Sequence, residues 1–569
     1  MTFLRSILPT LKDAAGTAAL HGIRASSLDK RRTWSITFLH CIGALLTESS
    51  QTFQERELFL TGANGFLGKV VLGMLLDRYP NLKQLHILVR PRADLSAAQR
   101  FADEVLASPA LSAIAAAKGR EFLDSRITLW SGDISAPRCG LEAADCGRLA
   151  GRIGLVLNCA GRVDFFPPLD DSFSSNVDGV ANVVEFAQSV GAPLLHVSTA
   201  FVSGETDGLV EETEPIPGFY PHRRGPEDHR FNHVEEIQRA REIIRQIYES
   251  EGSNGAADGR RSREMAKRLT ALGRQRAASW GWVNTYTYSK SLGEQIIASA
   301  PGLEYAIVRP AIVESAWQFP FPGWIEGGRT AAPLVLMALG GLKDWPVRED
   351  APLEIVPVDM IAAAILVVAA LLLEKSHRAV YQLGSADINP CTLGAIVELL
   401  DREARRRGAR NGNGALGRRF TDWLGGARRG GKARFVSAEE ARSRRLRLQG
   451  NIARAQRWLA GGQTVLEKAG LPGEKWLVGW SAELRKLDLQ AKFREQTLEQ
   501  YLPFVLQNRY VFESENIRAA YSALAATDRE LLPWNPERID WERYWIYHQI
   551  AGIEKWVQPE AVRDWTFSI

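Results

Sequence analysis

The chain has 569 residues, 45% of them hydrophobic and 24% charged, with a formal net charge of +4. That length has room for roughly three to four domains, the composition is that of an ordinary globular protein, and so small a charge excess gives no reason to expect nucleic acid as a partner. The five cysteines (Cys41, Cys139, Cys146, Cys159 and Cys391) are scattered without CxxC spacing, which excludes a disulfide framework or structural metal site and fits a reducing, cytoplasmic compartment.

Residues 1–53 read as an N-terminal extension with apolar residues at helical spacing and no nameable chemistry. Within it, "TWSITFLHCIGALLT" follows "KRR", but the run starts too late and lacks the small-x-small cleavage site of an export signal. Neither this run nor "IAAAILVVAALLL" (Ile361 to Leu373) reaches the ~18 to 20 apolar residues that span a bilayer. The second is expected to be a buried core helix, and peripheral membrane contact by the first stays open.

From Glu57 the pattern changes. "ELFLTGANGFLGKVVLGMLL" reads as an apolar strand, a glycine-punctuated turn and an apolar-faced helix. "LKQLHILVRPR", "RITLWSGDIS", "IGLVLNCAG" and "APLLHVSTAFVSG" supply four more strands, with helical stretches such as "VDGVANVVEFAQSVG" between several of them. Strands alternating with helices call for a parallel sheet covered on both faces, an α/β doubly wound fold. A charged helical insertion is expected over about 221–278, interrupted by "EGSNGAADG", before "EYAIVRPAIV" and "PLEIVPVDM" resume the sheet pattern. The reductase-type domain is placed at 54–400, an Arg/Gly-rich linker at 401–434, where ten arginines and one lysine face three carboxylates, and a mostly helical, Trp-rich domain at 435–569.

"TGANGFLG" sets Gly62, Gly65 and Gly68 three apart between a strand and a helix. Glycines there allow a tight turn, close approach to a pyrophosphate and close helix packing, while the helix N-terminus faces the anion. Thr61, Asn64, Phe66 and Leu67 share this turn and become cofactor candidates with the glycines. At the end of the second strand an NAD site carries an acidic residue about 20 positions on. Here the sequence is "VRPR", and the guanidinium groups of Arg90 and Arg92 suit a ribose 2′-phosphate, so NADPH is the expected cofactor. Asp133 and Ile134 end the third strand, where a side chain can meet adenine; Asn158, Ala160 and Gly161 end the fourth, close to the cofactor's path.

"HVSTAF" brings Ser198 and Thr199 to the ligand side of the sheet. In "NTYTYSKSLGEQ", Tyr286 and Lys290 are four apart and share a helix face. Tyr288 has Leu292 at that offset and is read as a packing residue. A hydroxyl, then a tyrosine, then a lysine behind a nucleotide turn is a rarer set than any member alone. It makes Tyr286 a proton donor, with Lys290 expected to lower the tyrosine pKa and to hold ribose hydroxyls.

This is the arrangement of the extended short-chain dehydrogenase/reductase superfamily. Within it the chain resembles the fatty acyl-CoA reductases, also called male-sterility-type reductases. "LFLTGANGFLGKVVL" and "LHILVRPR" are similar to that family's cofactor segments, and "HVSTAFV", "NTYTYSKSLGEQ" and "IVRPAIVESAWQFPFPGWIEG" to its active-site and substrate-side segments. "LEIVPVDMIAAAIL", "VYQLGSADINP" and the closing "IDWERYWIYHQIAGIEKWV" extend the likeness from about Glu57 to Trp556, the last resembling the bacterial alcohol-forming members. The resemblance implies a cytosolic or membrane-surface enzyme that reduces a long-chain acyl thioester, of CoA or acyl carrier protein, with NADPH. Thr199, Tyr286 and Lys290 would be catalytic, with Ser198 a companion, and no metal would take part. It also implies the alcohol as product, the C-terminal domain retaining the aldehyde; the alternatives are aldehyde release and a C-terminal domain that only forms a homodimer or docks to membranes. A steroid, flavonoid or sugar-nucleotide reductase or epimerase would keep the glycine turn and the Tyr–Lys pair without needing "PFPGWIEG". A non-catalytic nucleotide sensor would need none of the three catalytic candidates.

Overall fold

The computed structural model describes residues 49–557, apart from 213–215, 226, 252–261, 329, 340–341, 411–431 and most of 470–507. Seven strands form one sheet: β1 (Glu57–Thr61), β2 (Gln84–Val89), β3 (Ile127–Ser131), β4 (Ile153–Asn158), β5 (Leu194–Val197), β6 (Tyr305–Pro310) and β7 (Val380–Leu383). Their order is β7-β6-β5-β4-β1-β2-β3, and every pairing is parallel. The chain runs outward from β1 to β3 and then returns to lay β4 on the other side of β1, which leaves a ligand crevice at the strands' C-terminal ends between them. This is the expected Rossmann-type doubly wound sheet.

The helices that position the site are α1 (Phe66–Arg78), α2 (Gly179–Val190), α3 (His233–Glu251), α4 (Arg263–Trp280), α5 (Thr285–Ala298) and α6 (Val358–Leu373). The apolar run at 361–373 lies within α6, whose residues from Val358 to Leu372 are all buried. It packs against α1, β6 and the elements around them, so its all-round hydrophobicity is that of a core helix. Among the described residues no helix is long and apolar enough to cross a membrane. The run at 33–47 lies outside the described residues.

Two boundaries differ from expectation. The arginines from 402 to 410 belong to a helix, α7 (Leu393–Arg410), because Asp401 and Glu403 are buried beneath them and accept ion pairs from Lys343, Arg405 and Arg406. The rest of the expected linker, 411–431, lies outside the described residues. Described C-terminal residues also share their core with the sheet. The strand Tyr510–Phe512 pairs with Gly208–Val210, and Trp534, Tyr544, Trp545 and Ile550 join the same buried cluster as Leu58, Val71 and Leu366. Ser49, at the end of the expected extension, donates its backbone N–H to Asp528 Oδ2 at 2.7 Å.

Candidate active site

The nucleotide turn is shaped by contacts only glycine permits. Gly62 has φ +77°, and a Cβ there would lie 2.5 Å from Ala160 N. A Cβ on Gly68 would lie 2.1 Å from the carbonyl oxygen of Gly62, so the turn and the first turn of α1 can touch. Gly65 is the exposed N-cap of α1 and offers no side-chain cap. The helix therefore presents uncapped N–H groups and the positive end of its dipole to the crevice between β1 and β4. That cradle fits the pyrophosphate of a dinucleotide.

Thr61 and Asn158 stand opposite each other in the β1–β4 register and are fully committed to one another. Thr61 Oγ1 donates to Asn158 Oδ1 at 2.6 Å, and Asn158 Nδ2 donates to His196 Nδ1 at 3.0 Å. Ala160 N–H donates back to Asn158 Oδ1 at 3.2 Å. These two side chains brace the crevice floor; what faces outward is the backbone at Ala160 and the exposed Gly161. Asn64 turns sideways to donate to Glu104 at 2.9 Å. Phe66 packs on Trp324, with ring centroids 5.0 Å apart, and Leu67 is half-buried beside it.

At the β2 end, the Arg90 and Arg92 side chains are 60% and 56% exposed, each within reach of one carboxylate, Asp133 at 3.6 Å and Glu104 at 3.2 Å. Arg100, absent from the expectations, is buried and holds this corner. It donates to the Arg90 carbonyl at 2.6 Å and grips Glu104 with two bonds of 3.0 and 2.9 Å. The Arg100 and Asn64 contacts hold the Glu104 carboxyl below its usual range although burial acts the other way. Ile134 is buried against Gly179, and its carbonyl accepts from Asn182 at 2.8 Å.

Helix α5 begins where Asn284, its N-cap, accepts the Thr287 N–H at 2.8 Å. Gly293 lets this helix lie on the single π-helical turn Ser174–Asp178; a Cβ there would be 2.5 Å from the Asn176 carbonyl. That close approach sets Lys290 beside Gly161, where a Cβ would lie 2.9 Å from Nζ. Lys290 Nζ donates to the Val197 carbonyl at 2.9 Å. Tyr286, one turn earlier, lies close enough to the Thr199 hydroxyl for that hydroxyl to favour its ionised form. The end of β5 and helix α5, distant in sequence, thus bring Thr199, Tyr286 and Lys290 together. Ser198 and Thr199 alternate across the strand end, and the Ser198 hydroxyl is buried with no hydrogen-bond partner among the described residues. Tyr288 is fully buried and donates to Glu236 at 2.6 Å, as a packing residue would.

One expectation fails. Tyr286 is not acidified: burial pushes its phenol up to about 12, and the nearby Thr199 hydroxyl only partly offsets this. Lys290 directs its ammonium to the Val197 carbonyl, and burial brings it down to about 8. The phenol is accordingly neutral through the physiological range.

Several contributors escaped sequence reading. Asn176 spans the site, accepting the Arg162 N–H at 2.8 Å and donating to the Arg162 carbonyl and Ser289 Oγ at 3.0 Å each. Its signal was an asparagine inside a helical stretch, where asparagine is disfavoured without a specific partner. Phe165 lies between Tyr286 and Tyr501, at centroid distances of 6.4 and 5.7 Å; no local pattern marks either partner.

A family model, male sterility protein, an NAD-binding family, matches residues 60–365. The chain belongs to the male sterility protein family. The matched span runs from β1 through the middle of α6 and takes in the glycine turn, Thr199, Tyr286 and Lys290. Family relatives include "Probable fatty acyl-CoA reductase 4" of Arabidopsis thaliana, 28% identical over 89% of this chain and 98% of that one. "Probable fatty acyl-CoA reductase 5" of the same plant is 31% identical over 64% and 74%. The "Alcohol-forming fatty acyl-CoA reductase" of Simmondsia chinensis is 29% identical over 61% and 70%.

Proposed function

We propose that this protein is an NADPH-dependent fatty acyl-CoA reductase that carries the thioester to the alcohol. The observation that carries this reading is the approach of the Thr199 hydroxyl to Tyr286 with Lys290 one helical turn along, at the strand ends beside an uncapped nucleotide turn. The names of the relatives supply the substrate class.

The glycine turn, the α1 N-terminus and Lys290 would hold the cofactor, and the exposed Arg90 and Arg92 would take its 2′-phosphate. When bound, reduced nicotinamide supplies the hydride. The chain's own residues do the rest. Tyr286 and Thr199 donate hydrogen bonds to the carbonyl oxygen and stabilise the charge that develops there. Tyr286 then gives up its proton, leaving a thiohemiacetal that collapses to aldehyde and free thiol. Lys290, charged below about pH 8, stabilises the tyrosinate that remains. The same tyrosine serves the aldehyde in a second round.

Retention of the aldehyde between rounds is what distinguishes alcohol from aldehyde formation. Each buried methylene of a long chain contributes about 0.8 kcal/mol. Tyr501, from the C-terminal part, reaches Phe165 beside Tyr286 and bonds the Thr330 carbonyl at 2.5 Å, so residues of that part line the approach to the site. Mixing the protein with NADPH and palmitoyl-CoA, following absorbance and separating products with an aldehyde trap present, tests the reading. Two NADPH per thioester with little trapped aldehyde is expected; mainly trapped aldehyde overturns the alcohol, and no NADPH oxidation overturns the function.

A further inference from the structure

A second basic site lies on the substrate side of the molecule. It is a cleft of ≈ 450 Å³ whose lining includes Tyr220, His222, Arg223, Arg224, Arg230 and Trp280, a size within the range of small-molecule pockets. Guanidinium groups meeting aromatic faces in one concavity suit a phosphorylated nucleoside: arginine pairs with phosphate oxygens, and an aromatic ring stacks a base. The cleft is built rather than incidental. Arg230 is fixed by two bonds to Asp228, of 2.9 and 2.7 Å, and donates to the Tyr220 hydroxyl at 2.9 Å. Tyr220 and Trp280 meet edge to face at 5.3 Å. The neighbouring carboxylates are Asp228, held by Arg230, and Glu205, 3.6 Å from His222. Arg224 is exposed, and no ion pair engages its guanidinium among the described residues.

The cleft's position ties it to the reaction. Its walls are pinned to the loop that follows Ser198 and Thr199: Glu205 N–H donates to the Gly281 carbonyl at 3.0 Å and Trp282 Nε1 to the Val202 carbonyl at 2.9 Å, while His222 N–H donates to the Trp280 carbonyl at 3.2 Å and joins the two walls to each other. Trp280 precedes Tyr286 by six residues, so their Cα atoms are at most about 21 Å apart. The cofactor's own 2′-phosphate is not the occupant. Arg90 and Arg92 stand at the end of β2, three strand spacings from β5, about 14 Å across the sheet.

We propose that this cleft binds the phosphorylated adenosine of the CoA thioester, leaving the pantetheine arm to carry the acyl carbonyl to Tyr286. The inference rests on the acyl-CoA reading above. Adenosine 3′,5′-bisphosphate, titrated calorimetrically into the full chain with NADPH saturating so that the dinucleotide site is filled, is expected to bind. In steady-state assays it should compete with palmitoyl-CoA. Arg224→Glu, a change at an exposed side chain, should abolish the calorimetric signal. It should also lower the preference for palmitoyl-CoA over palmitoyl-pantetheine, as a ratio of kcat/KM, by about tenfold, the loss of one charged phosphate contact. If the wild type reduces palmitoyl-CoA but the bisphosphate neither binds nor competes, or the ratio does not move, the subsite is wrong and the reductase reading stands. If no thioester is reduced, the reductase reading falls, and the subsite is then decided by whether the bisphosphate binds and Arg224→Glu removes that binding.

Discussion

Lys69 Nζ lies 2.5 Å from Glu326 Oε1, joining the helix that starts at the nucleotide turn to the segment "PFPGWIEG". Phe66 and Trp324 pack together one turn away. Helix α1 and this segment are therefore tied together at two points. The lysine is 3% exposed and the glutamate 42%, so the two ends of the pair are not equivalent. Glu326→Gln strands a buried ammonium and should cost about 2 kcal/mol, whereas Lys69→Met replaces that ammonium with an apolar chain and should cost less. Urea midpoints for both variants test the asymmetry; equal losses would refute it.

Tyr286→Phe should abolish reduction while leaving NADPH affinity nearly intact, and Lys290→Ala should damage both. Tyr288→Phe leaves the buried Glu236 with Arg276 alone, so it should lower stability by about 1–2 kcal/mol and keep activity. A dead Tyr288→Phe with an active Tyr286→Phe would reverse the assignment.

The pH profile follows from Lys290. Burial lowers its pKa to about 8, so the charged form is lost as pH rises through about 8, and kcat should fall there. The stability effect has the opposite sign. Between about 8 and the ordinary value of 10.5 the unfolded chain binds the proton and the folded one does not, so this residue's contribution to stability increases with pH. Lys290→Met should remove the stability slope in that window; a slope unchanged in the variant would assign it elsewhere.

Arg90→Ala with Arg92→Ala should weaken NADPH far more than NADH, since both side chains are exposed and the fold does not depend on them. Equal losses for the two cofactors would remove the 2′-phosphate from the account.

The parts of the molecule that were readable from sequence are those governed by local rules. Strands β1 to β6 are short apolar runs with turn residues at their ends, and the Tyr286–Lys290 face is a matter of helical spacing alone, whereas the short β7 carries no such signal and enters only with the sheet. Arg100 and Asn176 were not readable, because their roles depend on partners brought near by the sheet. The Tyr286 pKa is not readable for a related reason: helical spacing places a cation nearby, but the burial that pushes the phenol up comes from the fold around it. Likewise the arginines after Asp401 looked like a linker because the glycines beyond them dominate the composition, while burial of Asp401 and Glu403 keeps α7 helical.

Ser49 and Asp528 touch across 479 residues of chain, and the core around α6 includes Trp534 and Tyr544. Contacts so distant in sequence form late, because the closure entropy of the long loop must be met before they reward it. During synthesis at roughly 5–20 residues per second, the sheet and glycine turn emerge well before the residues that complete their core. Throughout that interval the apolar surface around α6 that the later residues cover stays open to water. A nascent chain of this kind calls for a holding chaperone, and its yield in a foreign host should respond more to slower, cooler translation than to added cofactor.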